Sequence, residues 1–372
     1  MMSSNIWHYF FILLYIFTPH GIIELNKNKH KRGSIMGKDL IPLKIAGVGY
    51  CVPKTVVTNE DLTKLYETSD EWIYTRTGIK ERRVVSGNET AIDLGFEASK
   101  RAIEKSRINI NDIDCIIAAA SVPPQLYPTL ACTMQSLLGI EKTIPAFDLT
   151  AACSGLIYAL QVARGFIRAG IYKTILIIAA DNNSKITNWE DRGTSILFGD
   201  GAGAMVVTSS DDGIDDILSI KISANGSIGQ MIQTNMPSHN CPLVEQADTV
   251  GDGLIHMNGK EVYKFAVSTV PSYVVDCIEQ SGMRSDEIDY LIPHQANQRI
   301  IEAIQSRLNY SDEKVISNIK YYGNTSAASI PIALVEGVEQ GKIKLGSTAV
   351  LCGFGAGMTW GAAVVRLREG IC

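Results

Sequence analysis

Three short stretches of this chain carry side chains able to do acyl chemistry: "DLTAACSG" with Cys153, "LIPHQANQR" with His294 and "YYGNTSAAS" with Asn324. Cys153 stands among Ala151, Ala152, Ser154 and Gly155, just ahead of the apolar run "SGLIYALQVARGFIRAG". That run predicts a buried helix, whose N-terminus offers unpaired N–H groups and partial positive charge. Both favour thiolate over thiol, and the small neighbours leave room for a substrate. The Cys153 N–H would also be placed to bind an oxyanion. His294 follows a strand-like apolar run, whereas His239 and His256 fall in a Gly/Ser/Asn-rich stretch and read as surface residues. Each of the three has an ordinary alternative: a small buried cysteine, a structural strand-end histidine, an N-cap asparagine. Together, Cys, His and Asn allow two chemistries. In a hydrolase, His acts as general base for a peptide substrate. In an acyl-transfer enzyme, the thiolate takes an acyl group from a thioester, and His and Asn hold a second carbonyl while a carbanion forms. Spacing does not choose between them.

An internal repeat shows what must position these residues. Ala102–Ile117 ("AIEKSRININDIDCII") aligns without a gap with Cys277–Ile292 ("CIEQSGMRSDEIDYLI"), and "AACSGLIYAL" (Ala151–Leu160) aligns with "TSAASIPIAL" (Thr325–Leu334). A third pair, "LFGDGAGAMVV" (Leu197–Val207) and "CGFGAGMTWGAAVV" (Cys352–Val365), closes each copy. Repeats in the same order point to a duplicated βαβ-type unit. The expected class is α/β, with parallel or mixed sheets and helices between and outside them. The halves would be residues 41–210 and 211–372. In this register Cys153 faces Ala327 and His294 faces Ala119, so one half is chemical where the other is inert. By pseudo-symmetry Cys153 and Asn324 both point at the junction of the halves, where sites form. The Gly-rich segments are not dinucleotide loops, because they run into strands and supply no helix N-terminus for a pyrophosphate.

The chain has 372 residues, 46% of them hydrophobic and 20% charged, with a formal net charge of −5. That balance gives no nucleic-acid footprint. The eight cysteines are scattered without a CxxC pair, which argues against a zinc site or a disulfide framework. Residues 1–40 differ: an uncharged apolar run, "NIWHYFFILLYIF", is followed by the basic "NKNKHKRGS". We read them as a presequence outside the fold, a signal-like segment and then a transit-like one. A membrane-free mature form is expected, in a plastid reached by secretory entry, with the cytoplasm as the alternative address.

At this point the residues resemble a known family. The three site segments, with "TSDEWIYTRTGIKERR" (Thr68–Arg83), "DRGTSILFGDGAGA" (Asp191–Ala204) and "FGAGMTWG" (Phe354–Gly361), are similar to those of β-ketoacyl-acyl-carrier-protein synthase III. The resemblance spans residues 43 to 367. It implies the thiolase-like fold, a layered α-β-α-β-α sandwich. It implies that Cys153 takes an acetyl or short acyl group from CoA, and that His294 and Asn324 grip a malonyl thioester on the acyl carrier protein. Decarboxylation and condensation would then start type II fatty-acid synthesis. The Asn argues for the initiating type, since elongating relatives pair Cys with two His. The family further implies an oxyanion hole from the N–H groups of Cys153 and Ala356, although its usual FGGG reads FGAG here. Implied CoA contacts are Thr68, Trp72, Arg76, Arg192 and Asn297, and an implied carrier-protein dock comprises Gln295, Arg299 and Lys264. Tyr127 would close a partner's acyl pocket in a homodimer. CoA thioesters are substrates in this scheme, and no cofactor or metal is called for. A CoA-dependent condensing enzyme of secondary metabolism and a non-catalytic carrier-protein-binding homologue remain as alternatives.

Overall fold

The computed structural model describes residues 40–237, 243 and 251–372. The presequence expectation (all but Leu40), His239 and the greater part of the 228–250 stretch lie outside the described residues. The first half supplies strands β1 (Leu43–Cys51), β2 (Val56–Thr58), β3 (Glu81–Arg83), β4 (Cys115–Ala119), β5 (Ala146–Leu149), β6 (Thr174–Asp181) and β7 (Gly201–Ser209). They alternate with helices α1 (Asp70–Thr77), α2 (Ala91–Ser106), α3 (Leu130–Leu137) and α4 (Gly155–Arg168). The second half supplies β8 (Ile217–Ala224), β9 (Ile232–Thr234), β10 (Ile255–Met257), β11 (Tyr290–Pro293), β12 (Thr348–Gly355) and β13 (Thr359–Arg366). Its helices are α5 (Gly259–Gln280), α6 (Gln298–Leu308) and α7 (Ser329–Glu339).

Two mixed sheets result. One has the order β1-β7-β6-β4-β5, with β4 parallel to β5 and β6 and the remaining pairs antiparallel. The other has the order β11-β12-β13-β8, with only β11 and β12 parallel. The repeat in the sequence is thus a repeat in space: β1, β4, β6 and β7 match β8, β11, β12 and β13. A fifth strand is reduced in the second sheet to one bridge, Leu291 to Val315.

Helices α4 and α7 lie between the sheets: α4 touches β4 and β6 on one side and β8 and β13 on the other, while α7 touches β1, β7 and β11. Helices α2 and α3 cover the outer face of the first sheet, and α5 and α6 that of the second. This is the five-layer order. Every residue of β6 ("TILIIAAD") is buried, as befits a strand with helices on both faces. The Gly-rich segment around β7 now has its reason. A Cβ at Gly203 would lie 2.1 Å from the Pro331 ring of α7, so glycine admits the buried helix against the strand. Leu40–Cys372 pack as one unit, and none of the described helices is long and apolar enough to cross a membrane.

Each central helix is entered through a single 3₁₀ turn, Ala152–Ser154 before α4 and Ser326–Ala328 before α7. The two turns pack on each other. Ala152 (φ 46°) and Ser326 (φ 54°) both adopt left-handed backbone, at equivalent positions and without glycine. Such residues cost about 1–3 kcal/mol and persist where the surroundings over-determine them.

Candidate active site

Cys153 is the middle residue of the first strained turn. It lines a cavity of about 1630 Å³ together with His294, Asn324, Ser326, Phe354 and Ala356. The turn is tied to the β12–β13 connection by hydroxyls. Ser154 Oγ is 2.8 Å from Ala151 O and 2.9 Å from Thr359 Oγ1, which is itself 3.0 Å from Ala151 O and Ala356 O. Gly355 abuts the nucleophile so closely that a Cβ there would lie 2.5 Å from Cys153 N. Ala356 is not among the residues with positive φ, so its methyl is accommodated without strain.

The thiolate expected from the helix N-terminus is corrected by burial. Desolvation pushes the Cys153 thiol up to about 12, while the side chains of Ser326 and Asn324 pull the other way. The resting group is therefore a thiol, and its negative charge develops only as it attacks.

His294 follows β11 and is held by its own N–H, which donates to Cys352 O at 2.7 Å. Its ring meets Phe354 edge-on, 5.9 Å between centroids. Nδ1 lies 2.7 Å from Ser329 Oγ, which also accepts the Gln295 N–H at 3.3 Å. We assign the Ser329 proton to Nδ1, which leaves Nε2–H as the donor for the cavity. Burial pushes the imidazole down to about 3, so it works uncharged.

Asn324 is clamped by its backbone. Its N–H donates to Leu197 O at 2.8 Å, and its carbonyl accepts from Gly199 N–H at 2.9 Å. The side-chain Oδ1 accepts from Ser326 N–H at 2.9 Å, which turns the Nδ2 donors to the cavity. Two uncharged donors in a largely apolar pocket suit a carbonyl that becomes an enolate.

The His294 shift sets a pH expectation. Unfolded histidine titrates near 6.5 and the native one near 3. Between these values the unfolded chain binds the extra proton, so stability falls as pH drops through that window. Urea midpoints at about pH 7 and pH 5 should separate more for the wild type than for His294→Asn.

At the cavity mouth Trp72, on α1, carries two guanidiniums: Arg76 and Arg192 each sit 4.2 Å from its ring centroid. Trp72, Arg76, Asn297 and Arg299 line the cavity, whereas Thr68 and Arg192 do not. Thr68 Oγ1 is buried without a hydrogen-bond partner, and Arg192 donates to Glu67 O at 2.9 Å. Asn297 caps α6 through Oδ1 and donates from Nδ2 to Arg76 O, joining the two halves of the mouth. If the mouth stacks a purine, Trp72→Ala should raise KM for an acyl-CoA about 5- to 100-fold, with kcat little changed. Initial rates at varied acyl-CoA concentration test this.

Gln295 is corrected. It is 1% exposed, and its amide is spent on Pro293 O, Ile316 O, Ser317 Oγ and the N–H groups of Asn318 and Ile319. It braces the segment between β11 and α6 and cannot meet a partner. Lys264 and Arg299 are exposed. Tyr127 is 85% exposed and does not line its own chain's cavity.

Sequence reasoning missed Ser326, Ser329 and the fully buried Arg82. Arg82 donates to Ile196 O and Asn59 Oδ1, bracing the loop that clamps Asn324. The serines were visible only as small residues in "NTSAAS".

Comparison with known proteins bears on all of this. Residues 147–226 match the family model described as 3-oxoacyl-[acyl-carrier-protein (ACP)] synthase III, and residues 278–367 match that of its C-terminal part. A β-ketoacyl-[acyl-carrier-protein] synthase III from Oceanobacillus iheyensis is 45% identical over 322 residues, 87% of this chain and 98% of that protein. The crystal structure of the Aquifex aeolicus 3-oxoacyl-[acyl-carrier-protein] synthase III superposes with a TM-score of 0.79 at 43% identity, covering 87% of this chain and 99% of that one. The priming β-ketosynthase of the R1128 polyketide pathway superposes with a TM-score of 0.82 at 30% identity, covering 91% and 99%.

Proposed function

The chain belongs to the β-ketoacyl-[acyl-carrier-protein] synthase III family, the initiating condensing enzymes of type II fatty-acid synthesis, and from that premise we propose how its own residues divide the reaction. Cys153 attacks the thioester carbonyl of acetyl-CoA or a short acyl-CoA. The tetrahedral oxyanion rests on the N–H groups of Cys153 and Ala356, and CoA departs as the thiol with the proton that Cys153 gives up. A malonyl group on acyl carrier protein then places its thioester carbonyl against His294 Nε2–H and Asn324 Nδ2–H. Loss of CO₂ leaves an enolate held by these donors, and its carbon attacks the acyl-Cys153. The 3-ketoacyl carrier protein leaves, and the sulfur regains a proton. The reaction thus consumes one proton and releases CO₂ and CoA.

The observation that carries this reading is the placement of one thiol and two oriented, uncharged donors on a single cavity wall. CoA would lie along Trp72, Arg76 and Asn297, and the carrier protein against Arg299 and Lys264. The exposed Leu126 and Tyr127 support a homodimer in which each chain closes the other's pocket. The composition of residues 1–40 supports delivery to a plastid, and a tagged 1–40 fragment found only in the cytosol refutes it. The deciding measurement is intact mass after incubation with acetyl-CoA. A single acetyl group that maps to Cys153 supports the assignment, and no adduct, or one elsewhere, removes it.

A further inference from the structure

Behind the loop that clamps Asn324 lies a cation the reaction scheme does not use. Arg82, on β3, is fully buried and does not line the cavity. Among the described residues its hydrogen bonds all go to uncharged oxygens. Nη1 donates to Val57 O at 3.2 Å and to Asn59 Oδ1 at 3.0 Å, and Nη2 donates to Ile196 O at 2.7 Å. The Nε–H has no partner. Burial pushes the guanidinium down to about 10, so it stays charged at neutral pH. A buried charge costs free energy that an apolar side chain would not. What the guanidinium alone supplies is a planar fork that reaches three separate segments at once.

One arm of the fork ends at an enolate donor. Ile196 is followed by Leu197, whose carbonyl accepts the Asn324 N–H, and by Gly199, whose N–H donates to Asn324 O. The Arg82 stem packs on both sides of this clamp: a Cβ at Gly199 or at Gly323 would lie 3.2 or 3.3 Å from the Arg82 Cβ. Another arm ends at the cavity mouth. Asn59 Nδ2 donates to Asp70 Oδ1, on the first residue of α1, at 2.9 Å and to Ile79 O, just past its end, at 2.7 Å. One amide thus holds both ends of the eight-residue helix that carries Trp72 and Arg76, and Arg82 holds that amide by its oxygen.

We propose that Arg82 is a positioning residue that places two parts of the site at once: through Ile196 the loop that clamps Asn324, and through Asn59 the helix that carries Trp72 and Arg76. The mouth that admits a thioester and the amide that receives its enolate are thereby referred to one rigid group. Cys153 lies outside both arms, its turn being tied by Ser154 and Thr359 to Ala151 and Ala356. The fork matters more than the charge, since a lysine cannot span Val57 O, Asn59 Oδ1 and Ile196 O together. The proposal rests on Cys153 as the acylated nucleophile and Asn324 as an enolate donor.

Full-length Arg82→Lys tests it, with acetyl-CoA and malonyl-carrier protein as probes. A shift of Asn324 by about 1 Å should slow CO₂ release from saturating malonyl-carrier protein about 10- to 100-fold. The KM for acetyl-CoA in acetylation of Cys153 should rise about fivefold, while the maximal acetylation rate stays within about twofold. Backbone amide exchange should quicken in residues 196–200 and 323–325 and hold in 151–155. A side chain that only stabilised the fold would lower the urea midpoint and scale both half-reactions by one factor, with KM unmoved. Should Arg82→Lys fail to fold, Asn59→Ala, which severs only the arm to α1, must raise the KM for acetyl-CoA more than it slows CO₂ release. The proposal is overturned if CO₂ release and acetylation fall together, if KM is unmoved in either variant, or if exchange quickens equally in 151–155. A wild type that takes no acetyl group removes the functional reading instead, and the exchange pattern alone then decides on Arg82.

Discussion

Cys153→Ala should carry no acetyl group after incubation with acetyl-CoA, and its condensation rate should fall about 10⁴-fold or more. Cys153 is the one cysteine among the described residues that line the cavity, and the neighbouring Ser154 is buried with its hydroxyl bound at Ala151 O and Thr359 Oγ1. The fold should not change. The equivalent position of the other half is Ala327, 1% exposed in a turn of the same shape, so alanine fits this backbone. The informative part is what survives. His294 Nδ1 is held at Ser329 and Asn324 Oδ1 by the Ser326 N–H, and only the Asn324 amide also faces the sulfur. Malonyl-carrier-protein decarboxylation without acyl transfer should therefore continue in the variant. CO₂ release and 3-ketoacyl product, measured side by side, give the result. Loss of both would mean that the thiol also organises the donors.

The second large effect is expected at a residue with no reactive atom. Gly355→Ala should lower acylation of Cys153 by about 10²- to 10³-fold and destabilise the protein by about 1–3 kcal/mol. Its Cβ would lie 2.5 Å from Cys153 N and 2.9 Å from Ala152 Cβ. Neither neighbour can retreat cheaply, because Ala152 is already held at φ 46° and Ser154 and Thr359 lace the turn to Ala151 and Ala356. The added methyl must push apart the two backbone segments whose N–H groups would receive the oxyanion. Burst amplitude, acylation rate and urea midpoint together test this. A normal acylation rate at reduced stability would place the oxyanion elsewhere.

Much of this site was legible in the sequence, for identifiable reasons. The repeat survives as sequence because both copies solve the same packing problem: an apolar helix entered from a turn of small residues, then a fully buried strand. Position against that frame singled out Cys153, His294 and Asn324 as the points where symmetry of shape hides a difference in chemistry. What stayed hidden was tertiary. Local sequence placed Cys153 at a helix start and so suggested a thiolate, but burial pushes the thiol the other way. The family resemblance put Gln295 in the carrier-protein dock, yet its amide satisfies five backbone and side-chain groups of a buried connection. The left-handed Ala152 and Ser326 gave no signal, since neither is glycine. The missing fifth strand of the second sheet was equally silent, one bridge at Val315 being all that remains of it.

The resting thiol has a consequence for the life of the protein between turnovers. Oxidants and simple electrophiles select cysteines by thiolate character and exposure. Cys153 is partly exposed to the cavity but offers little thiolate character until a thioester occupies it and the developing charge meets its donors. It should therefore resist peroxide when empty, and become vulnerable to electrophiles shaped like an acyl thioester. Selectivity against bystander chemistry is thus secured by keeping the nucleophile protonated until its substrate arrives.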